Sequence, residues 1–371
     1  MRTSRIDRAA VPRRPLRTVA LAAALTVLLA ACSDAGDAEA TACEPGQTDG
    51  DLLLYNWTDY IDPGLVAAFE AEYGVRVTED YYASNEELIA RVAAGGAQYD
   101  VVVPSDYAVS LMVADGLLRP LDRSALTNFG NIDPAFLDPA YDPGNAHSIP
   151  YLWGTTGLGV NVALLGDVEP SWALVFDPQV AGALPGRVAL LDDPREVLGA
   201  ALRYLGYSAN TTSETELEAA ADLVRRARSW VAAFDSNLYS ELLLNREVVI
   251  AMAFSGNFIA DLGEEEDFAY LLPKEGATLY TDNLAILARA PHPCTAHTFI
   301  DFILRPESGA ALTEYIYYPS ANTAAEALVD PEIRANPSVY PDDDTREILE
   351  YLEDTGDFET RYVEWFLRAT G

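Results

Sequence analysis

Three chemistry-bearing side chains directly follow an apolar run that reads as a buried strand. The run is Leu52-Leu53-Leu54-Tyr55-Asn56, and Trp57, Asp59 and Tyr60 come next, ahead of Pro63 and Gly64. An indole face beside a carboxylate suits a cation with a hydrocarbon body, since the ring attracts the charge and the carboxylate accepts its N–H donors. Asp193 and Glu196 place two more carboxyls three residues apart, and Asp282 interrupts the otherwise apolar stretch 281–288. A lone buried acid is costly, so Asp282 calls for a partner, either a ligand ammonium or a protein arginine. Asp193 and Glu196 also read as an Asp-x-x-Glu helix start with Asp193 as the cap. Both roles can hold together, because a capping carboxylate keeps a second oxygen. A helix N-terminus normally favours anions, so acids there must reverse the local field before a cation can bind.

These residues are far apart in the chain and need a frame that gathers them. From residue 52 the pattern alternates: strand 52–56, helix 64–73 stopped by Gly74, strand 75–79, a helix behind the capping box Ser84-x-x-Glu87, and a buried strand in Tyr99-Asp100-Val101-Val102-Val103-Pro104-Ser105. Alternation of this kind indicates an α/β fold with a mostly parallel sheet covered by helices on both faces. Ligands of open α/β sheets sit beyond the carboxyl ends of the strands, where Trp57, Asp59 and Tyr60 stand. Helices read at 196–205 and 214–231, and an apolar strand at 248–254. Extended segments at 151–161 and 281–288 are candidates for crossings between two lobes. After Pro291 the chain reads as short helices joined by loops.

Half of the 371 residues are apolar, enough for a sizeable core in two ordinary domains. The formal net charge is -34, and residues 1–31, with six arginines and one aspartate, contribute +5, which leaves -39 for the remainder. Such a body repels nucleic acid and anionic membrane surfaces and concentrates cations, although most of this charge serves solubility. A basic stretch precedes the apolar run 19–31, which is short for a membrane span. It ends in Leu29-Ala30-Ala31-Cys32, a sequence that resembles a bacterial lipobox. The expectation is a signal peptide over 1–31, a lipidated Cys32 and a flexible spacer over 32–50, whose residues are small, polar and acidic. Cys43 and Cys294 remain, and an oxidising compartment permits a disulfide between them; sequence leaves open whether they meet. His147, His292 and His297 are scattered and no Cys-x-x-Cys pattern exists, so no metal site and no cofactor are expected.

A series of motifs resembles the spermidine/putrescine-binding proteins of bacterial polyamine ABC importers. They are Asn56-Trp57-Thr58-Asp59-Tyr60, Ser84-Asn85-Glu86, the Val-rich strand ending at Ser105, Leu126-Thr127-Asn128-Phe129, Ile149-Pro150-Tyr151-Leu152-Trp153-Gly154, Pro273-Lys274-Glu275-Gly276 and Leu304-Arg305-Pro306. Their joint order and spacing, from about Asp51 to the C-terminal end, carry the resemblance. It implies a two-lobed periplasmic-binding-protein (type 2) fold, with one lobe near 51–155 plus 282–325 and the other near 156–281 plus 326–371. It implies an extracytoplasmic monomer that delivers a polyamine to a permease driven by an ATPase, touching the membrane only through its lipid anchor. Carried over residue by residue, the ligand contacts are Trp57, Thr58, Asp59 and Tyr60 in the first loop, Ser105 and Tyr107 after the Val-rich strand, and Asp193 and Glu196. Tyr280 takes the place of a central Trp, Asp282 matches an acid, Phe254 stands where relatives commonly have Trp, and Tyr318 matches an aromatic near the second hinge. Asn257 occupies a position that is Asp in putrescine binders, and a Gln of spermidine binders meets Leu352 here.

The residue types suit that ligand. An ammonium leaving water must keep its N–H donors satisfied, which carboxylates do with charge-assisted hydrogen bonds. Methylenes need flat apolar walls, and aromatic faces add cation–π attraction of roughly 0.5–2 kcal/mol per contact. Three other readings compete. The tyrosine pairs Tyr81-Tyr82 and Tyr317-Tyr318 could hold ferric ion, although iron needs no indole wall. Asp193 and Glu196 could act as a glycosidase pair, but three residues apart at a helix start they would lie on one side of a ligand rather than flank a bond. No Gly-x-Ser-x-Gly elbow or phosphate loop supports an enzyme. A polyamine sensor would share every binding residue.

Overall fold

The computed structural model describes residues 42–371 apart from 96–97 and 184–186. The expected signal peptide over 1–31 and the lipidation site Cys32 lie outside the described residues. Among those described, no helix is long and apolar enough to cross a membrane.

The described strands form one mixed sheet of ten: β1 Leu52–Trp57, β2 Val77–Tyr82, β3 Val101–Val102, β4 Ser148–Asn161, β5 Val188–Leu190, β6 Val231–Phe234, β7 Ile250–Phe254, β8 Phe268–Leu271, β9 Thr278–Ile286 and β10 Glu350–Tyr351. The main path runs β2-β1-β3-β9-β4-β7-β5-β6, with β8 on β4 and β10 on β9. At one end β1 is parallel to β2 and β3, and at the other β5 is parallel to β6 and β7. Between them β4 and β9 run antiparallel from Ser148 opposite Ala285 to Thr156 opposite Thr278. The far end of β4, Thr156 to Val160, then pairs with β7. Both β4 and β9 are buried throughout.

The sheet is therefore not mostly parallel, as the alternation suggested. Its two ends are parallel βαβ units, but the joining strands are antiparallel to each other, β9 also to β3, and β4 also to β7 and β8. The Val-rich strand shortens to Val101–Val102, and the helix expected over 214–231 ends at Ala227, after which Val231–Phe234 forms β6. Short apolar runs such as Val-Ala-Ala-Phe carry no period that separates helix from strand.

Local chemistry places the helix starts, and those of α2, α3 and the Pro194–Tyr204 helix face the site. Helix α1, Pro63–Tyr73, is capped by the Asp62 carboxylate accepting from the Gly64 amide, and closes on Gly74 at φ 68°. Helix α2, Asn85–Ala93, starts where the Ser84 hydroxyl accepts from Glu87 N at 3.2 Å. Helix α3 spans Asp106–Ala114, and the helix Pro194–Tyr204 opens on Asp193.

Two large hydrophobic cores flank the joining strands. One gathers Leu52, Leu54, Phe69, Leu152, Phe299 and Phe302 with Tyr280 and Tyr318. The other gathers Leu158, Trp172, Phe176, Leu198, Val224, Tyr362 and Phe366. Phe254 packs against both.

The segment expected as a loose spacer is fastened over its last nine residues. Cys43 and Cys294 form a disulfide with Cα atoms 5.3 Å apart. Asp122 accepts from Cys43 N at 3.0 Å, and Asp49 accepts from Thr295 N at 2.9 Å. Composition flagged 42–50 as polar, but several of its polar groups meet partners more than 70 residues away in sequence.

Candidate functional site

The carboxyl end of β1, the starts of α2, α3 and the Pro194–Tyr204 helix, the end of β7 and the middle of β9 converge on one cavity of about 160 Å³. All twelve residues singled out from the sequence line it: Trp57, Thr58, Asp59, Tyr60, Ser105, Tyr107, Asp193, Glu196, Phe254, Tyr280, Asp282 and Tyr318. No Lys, Arg or His is among the described residues of the lining. Arg195, within the acidic Asp193–Glu196 stretch, turns away: it pairs with Glu359 and donates to Asn210 Oδ1 at 2.9 Å.

The walls are rings. Trp57 leans on Tyr82 with centroids 4.6 Å apart, and its indole N–H donates to Val103 O at 2.9 Å, which fixes the plane of the indole. Tyr60 meets Tyr318 edge-on at 5.1 Å, and Phe254 meets Tyr280 edge-on at 5.8 Å. The Tyr318 hydroxyl donates to Asn257 Oδ1 at 2.7 Å. Glycines make room for this cluster: a Cβ at Gly256 would lie 2.4 Å from the Tyr318 ring, and one at Gly154 would lie 2.8 Å from both Tyr280 Oη and the Tyr318 ring. The Thr58–Tyr60 turn is held by Asp59 at φ 53°, a left-handed conformation that Asp tolerates better than most residues.

Asp193, Glu196 and Asp282 are buried, whereas Asp59 is exposed at the rim. Asp282 accepts from Ser105 Oγ at 2.6 Å and from Tyr60 Oη at 2.7 Å. Ser105 is itself positioned by Asn85, which donates to its Oγ and accepts from its backbone N, each at 3.1 Å. Desolvation raises the Asp282 carboxyl to about 6, although the Ser105 and Tyr60 hydrogen bonds pull it back. Asp193 Oδ1 caps its helix, accepting from Arg195 N at 2.9 Å and Glu196 N at 3.0 Å. Glu196 Oε2 is buried without a hydrogen-bond partner; the Thr278 and Thr156 hydroxyls lie near enough only to ease its ionisation. Burial raises both carboxyls well above the carboxylate range. Glu86 adds to this at Asp193, and the Asp193 charge adds to it at Glu196. Burial likewise raises the phenols of Tyr60, Tyr107, Tyr280 and Tyr318, so each remains a hydroxyl donor at neutral pH. The Tyr107 hydroxyl donates to Glu86 Oε1 at 3.1 Å.

The lining also holds residues not carried over from the sequence as ligand contacts. Tyr82, Asn85 and Tyr239 join the walls, Asp106 adds a further buried carboxyl, and Ala83, Ser236, Asn237 and Asp261 complete the rim. Asp106 had the clearest signal, an acid between two residues already chosen. Tyr239 had none, because it reaches the cavity from a short helix, Tyr239–Leu244, without a distinctive pattern. Asn257 and Leu352, noted where the chain departs from its relatives, line the cavity too.

Of the tyrosine pairs read as ferric-ion ligands, only Tyr82 and Tyr318 line the cavity, and their hydroxyls are already engaged. Tyr81 is exposed, the Tyr82 hydroxyl serves Val103 O and the Tyr318 hydroxyl serves Asn257. What the arrangement offers is a ring-walled hollow with negative oxygens at separated points and no internal cation to neutralise them.

Residues 64–341 match the family model described as bacterial extracellular solute-binding protein. The chain is 39% identical over 323 residues to the spermidine/putrescine-binding periplasmic protein of Salmonella typhimurium, covering 86% of this chain and 91% of that one. It is 37% identical over 339 residues to the putrescine/cadaverine-binding protein of Pseudomonas aeruginosa, with 88% and 94% covered. Among solved structures, a Listeria monocytogenes chain named for a spermidine/putrescine ABC transporter superposes with a TM-score of 0.82 at 38% identity, over 86% of this chain and 99% of that one. The Tp0655 (TpPotD) lipoprotein of Treponema pallidum superposes with a TM-score of 0.76 at 32% identity, over 86% and 98%.

Proposed function

The chain belongs to the bacterial extracellular solute-binding proteins, a non-catalytic family with the type 2 periplasmic-binding-protein fold, and we propose that its solute is a linear polyamine, putrescine, spermidine or both, handed to an ABC permease and its ATPase. One observation carries this reading: Asp193, Glu196 and Asp282 are buried in a single aromatic cavity whose described lining holds no basic side chain. Burying carboxylates without counter-charge is unfavourable, and a bound polycation removes that cost by supplying N–H donors and charge at each acid. Trp57, Tyr60, Tyr107, Phe254, Tyr280 and Tyr318 give the methylenes apolar faces. Thr58, Asp59 and Ser105 offer further oxygens. The names of the relatives support the same ligand class.

Two lobes, 51–155 plus 282–325 and 156–281 plus 326–371, closing on the ligand is the motion we assign, and the separate hydrophobic cores support it. We assign the membrane link to a lipid on Cys32, after removal of 1–31.

Calorimetric titration of residues 42–371 with putrescine and with spermidine tests the proposal. Saturable one-to-one binding of either, in competition with the other and unaffected by equimolar Lys or Arg, is the expected result. No heat and no thermal stabilisation with either amine would overturn it.

A further inference from the structure

The ring-walled cavity has a larger neighbour. A second cavity of about 470 Å³ shares Asp106, Tyr107 and Leu352 with the first. Tyr107 and Leu352 pack in one small cluster and face both spaces, so the two cavities meet at this contact. Leu352 is apolar and lies between the two-residue strand Glu350–Tyr351 and the turn Gly356–Phe358, so no side-chain hydrogen bond ties the partition shut at that residue.

The second cavity repeats the chemistry of the first. Phe136, Tyr141 and Tyr351 supply ring walls, and the Tyr141 hydroxyl is engaged by Asn283 Oδ1 at 3.2 Å. Asp106 is 2% exposed. Its carboxylate accepts from Tyr107 N at 2.8 Å and from Thr281 N at 3.3 Å, and no cationic side chain pairs with it among the described residues. Each carboxylate oxygen accepts one of these bonds and keeps acceptor capacity for a further donor. A carboxyl so placed at the junction of two aromatic cavities suits an ammonium that has another part of the same chain on each side.

We propose that the second cavity is a subsite for the extended arm of a longer linear polyamine, a tetraamine. Its core lies in the first cavity, one inner ammonium sits at Asp106, and the outer methylenes rest on Phe136, Tyr141 and Tyr351. The Tyr107–Leu352 contact parts to admit the arm. This inference rests on the polyamine reading above and goes beyond it in chain length.

Ala140 lines only the second cavity and is exposed, so Ala140→Trp fills that space without touching the first. Wild type and Ala140→Trp are titrated with putrescine and with spermine. The expected result is putrescine affinity unchanged within about twofold and spermine affinity at least tenfold lower in the variant. Asp106→Asn is expected to weaken spermine more than putrescine. Putrescine binding also reports that each variant is folded. Equal spermine affinity in wild type and Ala140→Trp, or putrescine binding without spermine binding in the wild type, overturns this inference alone. Failure of both putrescine and spermine to bind the wild type overturns the polyamine reading with it.

Discussion

Replacing Asp282 by Asn should move stability and affinity in opposite directions. In the empty site the Asp282 carboxyl titrates at about 6 rather than 3.8, because burial outweighs the hydrogen bonds from Ser105 and Tyr60. Between those two values the folded protein holds a proton that the unfolded chain has released, so stability falls as pH rises through that window. Above it the full penalty of the buried charge is present, ~3 kcal/mol for a displacement of that size. Asn fills the same volume without charge and can keep one of the two hydroxyl contacts. Asp282→Asn should therefore raise the stability of the ligand-free protein at pH 8 by about 1–3 kcal/mol and leave it unchanged at pH 4. The same substitution removes a charge-assisted bond to an ammonium, worth ~2–4 kcal/mol, and should weaken putrescine and spermidine about 30- to 1000-fold. Urea denaturation at pH 4, 6 and 8 and calorimetry at pH 8 measure the two effects. Undiminished affinity would remove Asp282 from the ligand's contacts, and a variant less stable than wild type at pH 8 would mean that its role is to hold the Ser105–Tyr60 network together.

Three further outcomes follow from the same geometry. Asp193 and Glu196 carry raised pKa values when the site is empty; both must be ionised to hold an ammonium, so polyamine affinity should fall as pH drops, by up to ~10-fold per pH unit for each protonated acid. Calorimetry in buffers of differing ionisation enthalpy should show net proton release on binding, and a pH-independent affinity between 6 and 8 would count against these two contacts. Gly256→Ala, whose Cβ would sit 2.4 Å from the Tyr318 ring, should cost about 1–3 kcal/mol of stability and weaken the ligand by displacing that ring; Ala at exposed Gly130, which meets nothing within 4 Å, serves as the control. Replacing Cys43 and Cys294 together by Ser should cost ~2–4 kcal/mol in thermal or chemical unfolding and leave polyamine affinity intact, since neither residue lines the cavity.

Much of the site was legible because its residues sit at strand ends and helix starts, places that short patterns mark well. Trp57 follows an apolar run, Asp193 heads a capping pattern, and Asp282 stands out as an acid in an apolar stretch. The first βα units were legible for the same reason: Pro63, Gly74 and the Ser84 capping box punctuate them. The middle of the sheet was not. A fully buried strand shows no alternation, so the sequence of β4 gives length and apolarity but no direction, and its antiparallel pairing with β9 emerges only from long-range contacts. Tyr239 reaches the cavity through tertiary packing that no local pattern encodes. The possible Cys43–Cys294 bridge was legible from the cysteines, but the hydrogen bonds of 42–50 were not, because polar composition describes a segment's taste for water, not the partners waiting for it elsewhere.

The disulfide between Cys43 and Cys294 also settles where mechanical load goes. Tension applied upstream of residue 43 passes through the covalent bridge into the first turn of the helix Pro293–Ile303, which is buried along most of its length. The backbone path from Cys43 to Leu52 runs beside that bridge and is itself tied to Thr295 through Asp49 and Gly50. Strand β1, whose end carries Trp57, therefore receives through the backbone only the part of such a pull that the bridge does not take up.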